Sequence, residues 1–92
     1  MVTEAFWGRK EKKINGYKVR ELSAAQAEEI NDLLEASQRG TISEIDVYAA
    51  VVKMAVEGLS TESVEKIKQA PFTRVKLLAE TALELSQAHE GN

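Results

Sequence analysis

Few side chains in this 92-residue chain could do covalent chemistry. His89 is the single histidine and sits four positions from the C-terminus, where a triad or an imidazole metal site would have nothing to orient it. There is no Cys, so thiolate nucleophiles, thiolate metal sites and disulfides are all absent. Glu28, Glu29, Asp32 and Glu35 form the densest group of carboxylates, and a divalent cation would need them to converge on one point. Their spacing instead matches the wet face of a helix, and no calcium-loop pattern occurs. Gly8, Gly16, Gly40, Gly58 and Gly91 are too far apart for a phosphate-cradling loop. The expectation is a chain with no catalytic residues, no metal and no cofactor.

The remaining candidates bind rather than react. Phe6 and Trp7 stand side by side in a segment without sustained periodicity. Such a pair either folds back on the core, the more frequent outcome, or waits for a partner, because rings of that size are costly to leave in water. Six cations (Arg9, Lys10, Lys12, Lys13, Lys18, Arg20) lie in residues 1–20 against Glu4 and Glu11, a charge of +4, and the rest of the chain carries −7. The acidic body disfavours nucleic acid, where phosphate neutralisation supplies most non-specific affinity. The basic front suits an acidic partner or its own body, or is simply a solvated terminus. Residues 1–13 accordingly read as a flexible basic and aromatic arm, and 14–92 as one helical domain. The arm has no apolar stretch of the kind that begins a secretory signal, and with the missing cysteines this points to the cytoplasm.

The elements that must carry these residues follow from periodicity. Asn15-Gly16 is the strongest short hairpin signal, with Ile14, Tyr17 and Val19 as strand-like neighbours. Ser23 to Gln26 has the form of a capping box, after which Ala27, Ile30, Leu33, Leu34 and Ser37 make one inward stripe ending at Arg39-Gly40. Ser43 caps a second helix, with Glu44 and Asp46 in its first turn, and VYAAVVKMAV at 47–56 is apolar all round except for Lys53. A helix of that kind is buried and needs neighbours on two faces, and it is too short to cross a bilayer. It is predicted to run to Gly58. A third helix follows over 61–70, with Val64 and Ile67 inward. Pro71 then opens a fourth, whose apolar face runs from Phe72 through Val75, Leu78, Ala79, Ala82 and Leu83 to Leu85. The predicted fold is mainly α: a small bundle of about four helices with a short N-terminal extended segment or β-hairpin.

Met54 to Ile67 has the packing half of a helix-turn-helix, a glycine between helices followed by Val and Ile at the packing spacing. Its reading half is missing. Thr61, Glu62, Ser63, Glu65 and Lys66 would face DNA, and two carboxylates there repel phosphate. An ordinary helical corner explains the same residues.

The order YKVRELSAAQAEEI, then EGLSTESVEKI, then PFTRVKLLAETALELS, over about residues 16–86, resembles the tail assembly chaperones of long-tailed phages. The resemblance implies a small helical protein of the host cytoplasm that coats the long tape-measure protein and helps recruit tail-tube subunits. It also implies absence from the finished particle and, often, a longer frameshifted product. The N-terminal arm is not part of the shared pattern. A chaperone for an apolar helical client needs a groove and reversible contacts rather than an active site. The residues expected to contact the client, or a second copy of this chain, are Phe6, Trp7, Tyr17 and Leu22, with Leu77 on an uncovered side of the last helix. The rival readings are a small regulatory or inhibitory interaction protein of phage or plasmid origin and a subunit cut from a larger assembly.

Overall fold

The computed structural model describes residues 4–87, and for Glu4 and Ala5 the backbone alone. His89 lies outside these residues. Among the described residues the fold is mainly α, four helices and an N-terminal hairpin, preceded by one helical turn. In chain order these are α1 (Glu4–Trp7), β1 (Glu11–Ile14), β2 (Tyr17–Arg20), α2 (Ala24–Gln38), α3 (Glu44–Ala55), α4 (Val64–Ile67) and α5 (Phe72–Leu85).

Local signals start most of these elements. Asn15 and Gly16 both have positive φ, 50° and 84°, as a two-residue turn between right-twisted strands demands. The turn sets an antiparallel register that pairs Ile14 with Tyr17 and Lys12 with Val19. Beyond the strands, the Glu21 N–H donates to the Lys10 carbonyl and the Lys10 N–H to the Glu21 carboxylate, closing the hairpin's base. β1 therefore begins at Glu11, and the boundary expected between residues 13 and 14 falls inside it. At α2 the Ser23 hydroxyl accepts from the Gln26 N–H at 3.2 Å while the Gln26 side chain accepts from the Ser23 N–H at 3.0 Å. Asp46 and Ser43 repeat this reciprocal arrangement at α3. Gly40, at φ 81°, turns the chain after α2.

The core is centred on α3. Val47, Ala49, Ala50, Val51, Val52 and Ala55 are buried on successive sides of it, and α2, α4 and α5 all pack against it. Fully buried valines at 47, 51 and 52 contribute about 1.5–2 kcal/mol each relative to exposed ones. α5 covers α3 with Val75, Leu78, Ala79 and Ala82 and also touches both strands. α2 contributes one fully buried side chain, Ile30, and Leu34, expected inward, is partly exposed.

Two helices are shorter than their apolar spacing predicts. α3 stops at Ala55 rather than near Gly58, because Val56 adopts an extended conformation (φ −92°, ψ 124°) and bridges Val19 of β2, with the Glu57 N–H donating to the Lys18 carbonyl at 3.0 Å. The expected helix over 61–70 is a single turn, Val64–Ile67, capped by Ser63. Residues 59–62 form a turn instead, and the Lys53 ammonium donates to the carbonyls of Ser60, at 2.7 Å, and Glu62. The Lys66 N–H, which a longer helix would direct at Glu62, goes to the Ser63 hydroxyl. Pro71, expected to open the last helix, stands at the N-cap of α5, and its carbonyl accepts from Arg74 and Val75.

Candidate functional site

Phe6 and Trp7 occupy the last two positions of α1, ring centroids 4.7 Å apart and planes at 82°. That is the edge-to-face packing favoured by the quadrupoles of aromatic rings. The pair does not dock into the core: Phe6 is 68% exposed and Trp7 72%. Gly8 and Arg9 lead from it into the hairpin, and Glu21, Leu22, Ser23 and Ala24 lie opposite. Together these eight residues enclose a concavity of about 450 Å³. The aromatic turn thus overhangs the start of α2. Arg9 places positive charge in the lining of the concavity, and Lys10, Lys12 and Lys13 of the adjoining strand segment are exposed. On the outer side of the hairpin Lys18 and Arg20 are partly neutralised by Glu57, at 3.8 and 3.7 Å, and Arg20 by Glu11 at 3.9 Å.

The five residues expected to bind a partner fall in three places. Phe6, Trp7 and Leu22 line the one concavity. Leu22 is nevertheless a core residue, 7% exposed, with its N–H donated to the Ser86 hydroxyl at 2.8 Å, so it floors the concavity and cannot project from it. The expectation that Leu22 contacts a partner directly is thus corrected: the residue is tied to the end of α5 and buried. Tyr17 lies half-buried in β2 and lines a separate cleft with residues of α3, α4 and α5. Leu77 is 41% exposed on α5 and lines neither hollow. Sequence reasoning missed Phe72, assigned to the buried face yet 57% exposed, with Lys76 Nζ 5.9 Å from its ring centroid. Its position directly after Pro71 was the available signal, since the first turn of a helix commonly extends past the neighbour that buries the rest.

The ionisable groups here are set up for structure. Asp46 in the first turn of α3 accepts from Lys68 Nζ at 2.6 Å, and the Lys68 ammonium, then the Ser43 hydroxyl and N–H, hold its carboxyl below the usual range. Lys68 is raised in turn, chiefly by Asp46. Burial pushes the Tyr48 phenol up, and the carboxylates of Glu44 and Glu80 add to this, so it stays protonated and is a poor nucleophile at neutral pH. Glu28, Glu29, Asp32 and Glu35 are exposed on α2, and among the described residues no three acidic or histidine side chains converge as metal ligands would. α4, the would-be recognition helix, is one turn long and exposes Glu65 and Lys66. No described helix is long and apolar enough to cross a membrane. What the arrangement can do is grip apolar groups: an exposed aromatic pair overhangs a hollow with an apolar floor. No family model, no curated protein and no solved structure matches this chain.

Proposed function

We propose that this chain is a non-enzymatic protein-binding module, a tail assembly chaperone whose clients are the tape-measure protein and tail-tube subunits. The observation that carries the reading is the Phe6–Trp7 pair, two large rings held in fixed mutual geometry, mostly in water, above a hollow of about 450 Å³. Clustered aromatics are the residues that dominate binding energy at protein interfaces. The occupant that suits them is an apolar face of a client helix, inserted between the rings and the start of α2. The exposed cations of the arm favour a client with acidic residues flanking that face, and the same feature keeps a regulatory protein with one acidic target as the second reading.

The chaperone reading requires a long helical reading frame beside this gene, and the test is co-expression with that frame's product. Replacing Phe6 and Trp7 together by Ala lowers client affinity about thirtyfold or more, as expected for aromatic anchors of about 2 kcal/mol, and leaves the helical circular dichroism unchanged. Undiminished co-purification by the double variant excludes the arm. Failure of the parent chain to bind that neighbour, with capture of a single host protein instead, favours the regulatory reading.

A further inference from the structure

A second hollow shares no lining residue with the one beneath the aromatic turn. It opens where α4 and α5 meet α3 and the hairpin and has a volume of about 220 Å³. Ile67, Val75 and Leu78, all buried, make its floor, and Tyr17 of β2 forms part of a wall. Its mouth is charged: Lys66 and Arg74 line it together with Glu62. The chain is acidic overall, yet two cations meet one carboxylate here, and among the described residues neither Lys66 nor Arg74 forms an ion pair.

We propose that this cleft is a docking site for one large apolar side chain carried on an acidic segment of a partner protein. Size selects the occupant. The volume falls below the roughly 300–1,000 Å³ of ordinary small-molecule sites, whereas an apolar hollow of about 150 Å³ already holds a benzene ring. A single Phe or Leu side chain therefore fits this volume. Charge selects its neighbours. Carboxylates on either side of the anchor meet Lys66 and Arg74 at the rim, where complementary charge sets specificity and register while the buried anchor supplies affinity. The site does not depend on the aromatic turn, and it would serve a client of either kind considered above.

The experiment is an amide-resolved NMR titration of the full chain with three blocked peptides, acetyl-EEFEE-amide, acetyl-KKFKK-amide and acetyl-EEGEE-amide. The first shifts the amides of Ile67, Ala70 and Val75 saturably, and the other two bind at least about tenfold more weakly. Lys66 and Arg74 are surface residues, so K66E/R74E keeps the parent's dispersed spectrum and reverses the preference to the basic peptide, an exchange that general destabilisation cannot produce. K66Q/R74Q loses the preference without reversing it. Equal binding of the phenylalanine and glycine peptides, equal binding of acidic and basic peptides, shifts confined to other surfaces, or binding of octanoate in place of any peptide overturns the proposal. The F6A/W7A variant retains the peptide response, so failure here is distinguishable from failure of the aromatic turn to hold its client.

Discussion

Lys53 and Asp46 show how single polar side chains decide where helices of this chain begin and end. Lys53 is the one charge within VYAAVVKMAV, and its ammonium reaches the carbonyls of Ser60 and Glu62. Those carbonyls lie in the turn before α4, and their use here helps fix where that helix starts. Asp46 acts at the other end of α3, joined through Lys68 to the end of α4. Its carboxyl has a lowered pKa in the fold, so the stabilisation it gives is complete above the unfolded value of about 3.9 and is lost as the pH falls below this through the folded value. Lys68 is raised, so its share is complete below about 10.4 and is lost as the pH rises through its folded value. Between roughly pH 5 and 9 the bridge is at full strength. Asp46→Asn is therefore less stable than the parent in urea unfolding at pH 7, and the gap narrows toward pH 3. An equal gap at both pH values would show that lost cap geometry, and not charge, is responsible.

At the scale of elements, the hairpin and the last helix are joined through one hydroxyl. Ser86 Oγ accepts the Leu22 N–H at 2.8 Å and donates to the Ala82 carbonyl at 2.7 Å, so the C-cap of α5 satisfies the backbone between β2 and α2. Ser86→Ala leaves the Leu22 N–H unpaired in a largely dry position, at a cost of about 1–2 kcal/mol. In a domain of this size that lowers the melting temperature by about 4–16 °C, and Ser86→Thr, which keeps the hydroxyl, recovers most of it. No sequence pattern announced this bond. Caps and turns were legible because their partners lie within three residues: the Ser23–Gln26 box, Ser43 as a cap and the Asn15-Gly16 turn all stand where the local pattern places them. The end of α3 was not legible, because Val56 leaves the helix to bridge Val19, thirty-seven positions earlier. Nor was the length of α4, which is limited by a lysine from the preceding helix and a serine that caps late. The single turn α1 has no apolar period to reveal it.

At the scale of the whole molecule, the candidate sites divide in the same way. The Phe6–Trp7 pair was legible as two adjacent rings in an aperiodic segment, but whether they docked or stayed in water depended on what the fold placed beneath them. The cleft at Lys66 and Arg74 was invisible in the sequence, since its walls bring Tyr17 together with residues between 52 and 78. The Tyr17 cleft includes Val52 of α3, the aromatic hollow rests on the start of α2, and the elements packed on α3 are not equally tied to it. α5 buries five side chains and meets α3 and both strands, whereas α2 packs chiefly on α3 and buries only Ile30 completely. An element with one fully buried anchor opens at lower free energy than the unit it leans on. Native-state hydrogen exchange is therefore expected to show Ile30 to Ser37 of α2 exchanging before Val51 to Ala55 of α3. Ile30→Ala, which removes about 3 kcal/mol of packing, should bring α2 exchange close to the rate of an open segment while α3 keeps greater protection. Equal opening free energies in α2 and α3 would mean that the domain opens only as one unit. α2 would then be as firmly held as the rest, and the floor beneath the aromatic turn would be fixed.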